Sequence, residues 1–422
     1  MRIIFLREIF ITVKLVMKNL RANPGRTFLT LFGVVIGITA VIVISSSGQG
    51  VKGYVINQVN SFGTDLIQVE TKVPATKHIS HQNALGQAMG IQITTLKLKD
   101  AEEIKKLPNV NNVYGATIGQ EITSYQDSNK KVMLFGAGAD VIKVDVNLKL
   151  STGRFYDESE DNSLEQVAVI GSEIADVLFG EDNPLGKNIK IKDKNFRVIG
   201  VLEKRGTVSF FNFDELVYIP VKTLQKKILG VDYIKMISVQ VKDMNQVEAT
   251  QLEINDLMRK QHDIKDPNKD DFSVISIQEA QDMINDVFKT VNLLLMFLTS
   301  ISLIVGGVGI MNVMYVAVVE RTYEIGLRKA VGAKAKDILR QFLLEAIFIT
   351  LAGGIIGILL GFSMSFLLSY IFTVLGYELQ FMITGQALLL AGGFSITVGL
   401  IFGYYPARAA ARLSPIEALG KE

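Results

Sequence analysis

Uncharged runs and charged stretches alternate along this chain in long blocks. Four runs, Thr27–Ile44 (extending to Ser47), Val291–Val319, Ala346–Tyr377 and Leu379–Ala407, contain no Asp, Glu, Lys or Arg. A helix needs about 20 apolar residues to cross a bilayer, so each run predicts a span. The last two are divided only by Glu378, in the turn "LGYELQFMITG". The first run could be the core of a cleaved signal peptide ending at Ser45-Ser46-Ser47. A long flank precedes it, however, and it exceeds the usual core of about 7–15 residues, so it reads as a retained helix.

Between the first and second runs the pattern changes to short strand and helix periods. Strands are predicted at Asp65–Glu70, Val132–Gly138, Gln166–Gly171, Phe196–Leu202, Met236–Lys242 and Phe272–Ile277. Helical spacing appears at Leu98–Leu107, Ser172–Phe179 and Gln246–Lys260. Asp127-Ser128-Asn129 and Asn183-Pro184-Leu185-Gly186 are turn signals. Thr71–Ile93 is polar with weak periodicity and reads as a loop. Gln278–Thr290 reads as a helix that continues into the second span.

A charged island, Glu320–Arg340, divides the second and third runs. Inserting its nine charged groups in a bilayer would cost roughly 20–30 kcal/mol on per-residue insertion scales, so it is a loop. Tyr323, Leu327 and Val331 recur at i, i+4 and i+8 as an apolar stripe. Glu320, Glu324 and Arg328 form a second stripe, with Glu324 and Arg328 in the favoured order. A short amphipathic helix stopping at Gly332 is predicted, followed by a second helix from near Lys334 into the third span. Such a helix either lies flat on the membrane or docks a partner.

Lys and Arg set the orientation. Arg2, Arg7, Lys14, Lys18, Arg21 and Arg26 precede the first span. Arg321, Arg328, Lys329, Lys334, Lys336 and Arg340 occupy the island, and Arg408, Arg412 and Lys421 the tail. With four spans these segments share one side, the cytoplasm. The long segment of about Gly48 to Asp286 then lies outside; it holds 28 Lys+Arg against 34 Asp+Glu. A net charge of +2 gives no basic surplus for nucleic acid, and the absence of cysteine excludes disulfides, thiolate metal sites and a Cys nucleophile.

Little chemistry stands out, so no catalytic residue, metal site or cofactor is expected on this chain. His78-Ile79-Ser80-His81 lacks a third ligand nearby. Asp157-Glu158-Ser159-Glu160-Asp161 lacks the spacing and glycine of a calcium loop. The span cores hold no ionisable group that would mark an ion path. Small residues at four-residue spacing, Gly33 and Gly37, Gly353, Gly357 and Gly361, and Gly399 and Gly403, predict close helix packing. Four helices are few for a transport path, so a homodimer is expected.

Several motifs carry a family resemblance. "ERTYEIGLRKAVGAKAKDILRQFLLEA", "SLIVGGVGIMNVM" (Ser302–Met314) and "YYPARAAARLSPIEALGKE" (Tyr404–Glu422) resemble the MacB/FtsX-type ABC transporter permeases. So do Gly25–Gly50, Leu96–Val113 and Val167–Leu202. The resemblance implies an α-helical membrane protein with four transmembrane helices and a large mixed α/β extracytoplasmic domain of the MacB core type. Residues 1–26 would form a cytoplasmic amphipathic segment, 27–47 the first span and 48–288 the outer domain, with an inserted subdomain at about 140–225. The second span (289–319), loop (320–340), third span (341–375), fourth span (384–405) and tail (406–422) follow, and 289–414 is the FtsX-like permease domain.

The resemblance also implies that the island is a coupling helix touching a cytoplasmic ATPase through Glu320, Arg321, Glu324, Ile325, Gly326, Arg328 and Lys329. ATP and Mg would be bound by that ATPase. No GxxxxGK[ST] occurs here and the flank before Thr27 is short, so an ATPase on a separate polypeptide is expected. The implied function is efflux or export of peptides, antibiotics or lipophilic compounds from a cell membrane, by mechanotransmission and with a MacA-like adaptor. A Lol-type lipoprotein-releasing permease and an FtsX-like regulator of cell-wall hydrolases are the alternatives.

Overall fold

A computed structural model describes residues 24–61, 63–74, 90, 92–208, 211–375, 379, 381 and 383–419. The expected N-terminal segment up to residue 23, most of the Thr71–Ile93 loop with His78 and His81, the turn at Glu378, and Lys421 lie outside these residues. The chain divides into two compact units, Met1–Tyr54 with Asn285–Glu422, and Val55–Ile284.

The α/β unit is built on one ten-stranded sheet, with a separate two-stranded hairpin. In chain order its strands are β1 (Leu66–Thr71), β2 (Val110–Tyr125), β3 (Ser128–Ala137), β4 (Leu150–Gly153), β5 (Val167–Ile170), β6 (Asn188–Ile191) and β7 (Lys194–Leu202). They continue with the hairpin β8 (Thr207–Val208) and β9 (Phe211–Asn212), then β10 (Leu216–Pro220), β11 (Met236–Val241) and β12 (Phe272–Ser276). The main sheet runs β12-β1-β11-β2-β3-β10-β5-β7-β4, with β6 pairing β2 and β7. The turn joining β2 to β3 is Gln126-Asp127, with Tyr125 opposite Ser128 and Gln126 at φ 50°.

Side chains alternate across this sheet and separate into two cores. One face carries Ile67, Val239 and Val113 under two helices, α2 (Leu98–Ile104) and α4 (Val247–Gln261), with Ile104, Ile254 and Met258 packed between. It continues through Leu134 and Val217 beneath α3 (Ser172–Phe179), where Ile174 and Leu178 are buried. The opposite face carries Ala116, Ala137, Tyr218, Phe155 and Tyr156.

The helical unit contains four helices long and apolar enough to cross a membrane. They belong to α1 (Pro24–Asn60), α5 (Ile277–Glu320), α7 (Ala335–Val374) and α8 (Gly385–Arg412). Between and after them lie α6 (Thr322–Ala330) and α9 (Pro415–Leu419). The expected helix Gln278–Thr290 and the second span form one helix, α5.

Glycines set how closely the long helices approach. A Cβ on Gly33 would fall 2.5 Å from Gly306 Cα, and one on Gly37 would meet Leu303. Gly353 faces Leu31 and Val34, Gly357 faces Ile38, and Gly361 faces Ile42, so one edge of α7 follows α1 turn by turn. The Thr39 hydroxyl donates to the Gly357 carbonyl at 3.1 Å. Gly399 and Gly403 bring α8 onto α7 at Thr350, Ile347 and Ala346. The outward positions remain apolar and exposed, among them Leu293 and Phe297 on α5, Phe366 on α7 and Leu389 on α8. In water this would be a large aggregation-prone patch; in a bilayer lipid covers it.

Candidate functional site

The charged island folds as a helix held against its own unit. Helix α6 ends in a Schellman arrangement: Ala333 N–H donates to Arg328 O, and Gly332 N–H donates to Lys329 O. Gly332 has φ 105°, which a residue with a Cβ adopts only with strain. Helix α7 then begins at Ala335, and the Asp337 carboxylate accepts from the Lys334 N–H at 3.1 Å.

Four contacts fix α6. At its entry, the Arg321 guanidinium donates to Glu345 of α7 at 3.2 Å, and Glu345 is buried. At mid-helix Ile325 (3% exposed) enters the core of the helical unit. Gly326 lies against α9 so closely that a Cβ there would be 2.7 Å from Ala418 Cβ. Near its end, Lys329 Nζ donates to the Ala411 and Leu413 carbonyls at 2.6 Å each. A cation placed on carbonyls at the end of α8 also complements the helix dipole.

The other face of α6 is open. Tyr323 (62% exposed), Leu327 (50%) and Val331 (84%) stand on it, and Ile416 of α9 is also exposed (87%). Beside them Arg328 bridges Glu324 at 2.6 Å and donates to Gln341 Oε1 at 2.6 Å. The sequence-derived contact set therefore divides. Glu320 and Glu324 are exposed and Arg328 is half-buried, whereas Ile325 and Gly326 are buried within the chain and Arg321 and Lys329 are engaged as anchors. Spacing gave α9 no role; the family resemblance implied only that "PARAAARLSPIEAL" (Pro406–Leu419) sits near the same contact, and Ala418 within it backs Gly326. The only local signal for α9 is Ser414-Pro415, where the Ser414 hydroxyl accepts from the Glu417 N–H at 3.1 Å and starts the helix.

Among the described residues no group of three or more His, Asp or Glu side chains could hold a metal ion. The Asp157–Asp161 stretch caps a helical turn, Glu158–Asn162, and Glu160 binds Arg154 at 2.7 Å. His262 lies between Asp271 (2.8 Å) and Asp100 (3.4 Å). Hydrogen bonds to Asp100 and Asp271 raise its pKa to about 9, so it is a cation in a buried ion cluster and not a base.

Four apolar helices beside a large mixed α/β unit define a membrane protein of the multi-span class with an extracellular domain. Residues 27–257 match the model of the MacB-like periplasmic core domain, and residues 296–415 that of the FtsX-like permease C-terminal domain. The chain belongs to the MacB/FtsX-type ABC transporter permeases.

It is 34% identical to the macrolide export ATP-binding/permease protein MacB of Bdellovibrio bacteriovorus over 96% of this chain and 61% of that one. It is 36% identical to the protein of the same name from Chlorobaculum tepidum, over 96% of this chain and 60% of that one. The chain thus spans about three-fifths of the length of the curated relatives it matches. Among solved structures, it is similar to the periplasmic region of MacB from Actinobacillus actinomycetemcomitans, at 23% identity, 55% coverage of this chain, 97% of the other and a TM-score of 0.46.

Proposed function

We propose that this chain is the permease part of an ATP-driven export complex, in which α6 receives the movement of an ATP-binding domain. The observation that carries this reading is the division of α6 into an anchored face and an open apolar face. Arg321 and Lys329 bind it to α7 and α8, so a push on Leu327 reaches those helices instead of bending a loop. The span cores hold no ionisable residue to drive transport by an ion gradient, which leaves a partner as the source of work.

The basic flanks support cytoplasmic termini and a cell-membrane location, with the α/β unit on the far side. Helices α1 and α5 each hold residues of both units. ATP and Mg would be held by the ATP-binding domain. Two copies would form the working complex with a MacA-like adaptor, exporting peptides, antibiotics or lipophilic compounds; the relatives' name, macrolide export ATP-binding/permease protein, supports export.

The test is ATP hydrolysis by the complex in lipid nanodiscs, with and without Leu327→Asp or Val331→Asp. Both side chains are exposed, so melting should hold while stimulation of hydrolysis falls at least about tenfold, which corresponds to 1.4 kcal/mol of lost coupling. Unchanged stimulation in both variants overturns the reading.

A further inference from the structure

The α/β unit contains a cavity of about 300 Å³ that the coupling scheme does not use. Its floor is the sheet face opposite the covering helices. In the register Gln68 stands opposite Ser238 and Ser238 opposite Tyr114, while Ile118 and Tyr218 both stand opposite Phe135. Five adjacent strands, β1, β11, β2, β3 and β10, thus contribute to one floor. Ala116 stands opposite Ala137 on the same face of the sheet. Phe213, Val141 and Leu216 add walls, and Val59 of α1 and Ile277 of α5 stand at the rim.

The chemistry of the lining is selective. It is mostly aromatic and aliphatic, with Glu70 and Asp145 as its acidic groups and no Lys, Arg or His among the lining residues. Asp145 is held by Arg205 at 2.7 Å from behind, and the Arg205 guanidinium stacks 3.9 Å from the Phe213 ring. Tyr218 is 2% exposed, and no hydrogen bond to its hydroxyl is found among the described residues. Tyr218 lines the cavity, where its hydroxyl can bond a ligand or water. The volume lies at the lower end of ordinary ligand pockets, which run from about 300 to 1,000 Å³.

We infer that this cavity binds a small lipophilic amine, its apolar body over Ile118, Phe135 and Met236 and its cationic head towards Asp145, Glu70 and the Tyr218 hydroxyl. The lining offers no cation to hold an anionic head, and its aromatic faces attract a cationic one. The inference does not depend on how the chain is energised. Val59 and Ile277, both within the α/β unit, complete the lining.

The experiment is photolabelling of the full chain in lipid nanodiscs with a diazirine-tagged decylamine, compared with the matching decanoic acid, followed by peptide mapping. Saturable labelling of β2, β10 or β11 peptides by the amine, at least about tenfold above the acid, is expected from one charge preference worth about 1.4 kcal/mol. Ile118→Trp, which fills the cavity, should abolish that labelling while thermal melting stays within a few degrees of the parent. Glu70→Gln gives an independent arm and should narrow the amine-to-acid ratio. Labelling confined to membrane helices, equal labelling by the acid, or retention of labelling in a folded Ile118→Trp chain overturns the inference.

Discussion

Gly306→Ala and Gly309→Ala make the same chemical change one turn apart on α5, and the structure gives them opposite signs. A Cβ on Gly306 would lie 2.7 Å from Gly33 C and 2.9 Å from Val34 N. Both are backbone atoms of α1, so no rotamer change relieves the overlap and the helices must separate. A gap of about 0.5–1 Å forfeits a quarter to a half of each dispersion contact along the seam. Overpacking of this kind costs roughly 1–3 kcal/mol. Gly309 has nothing within 4 Å of its would-be Cβ, so alanine there adds helix propensity of up to about 1 kcal/mol without a clash. Melting of the full chain in nanodiscs at one fixed scan rate reads the difference. Gly306→Ala should melt several degrees lower, and Gly309→Ala at or above the parent. Equal midpoints for the two variants would refute the claim that backbone contact between α1 and α5 sets the packing.

The remaining predictions concern the α/β unit. The folded pKa of His262, about 9, lies above its ordinary 6.5, so its stabilisation is complete below pH 6.5 and is lost as pH rises through 9. That shift corresponds to roughly 3 kcal/mol, and unfolding followed from pH 6 to 10 should show the decline in the parent and a flatter profile in His262→Gln; parallel profiles would exclude His262 as the cause. The Tyr156 hydroxyl donates to the Ala137 and Ile219 carbonyls at 2.9 and 3.1 Å, beside Pro220, which has no N–H to offer across the β3–β10 pair. Tyr156→Phe should cost about 1–2 kcal/mol in denaturant unfolding, and a loss under about 0.5 kcal/mol would mean the carbonyls find other partners.

Long-period features were legible in the sequence because each rests on local cost. Uncharged runs gave four spans, and insertion cost put Glu320–Arg340 outside the bilayer. Strands with simple alternation, such as Met236–Val241 and Phe272–Ser276, were found nearly to the residue. The longest strand, β2, was not delimited, and its glycines show why. Gly115 weakens the strand signal, yet a Cβ there would fall 2.8 Å from both Ile234 and Leu98, so the residue is set by packing against side chains that lie elsewhere in the chain. Strand β10 was passed over for a related reason: buried on both faces, "LVYIP" has no alternation to read.

The same distinction governs the site. Spacing found the stripe Tyr323, Leu327 and Val331, and the Glu324–Arg328 pair, because both are properties of one short helix. It could not say which apolar residues face inward. That depends on Ala418, Glu345 and the carbonyls of Ala411 and Leu413, which tertiary packing brings to α6. A nine-residue helix has too little intrinsic stability to hold a position alone, so these distant partners decide its orientation. The cavity is a stronger case. Its floor takes residues from five strands whose neighbours are fixed only by pairing, so no window along the chain contains it. Features that recruit distant partners are therefore the ones to probe by mutation, since the chain's local pattern constrains them least.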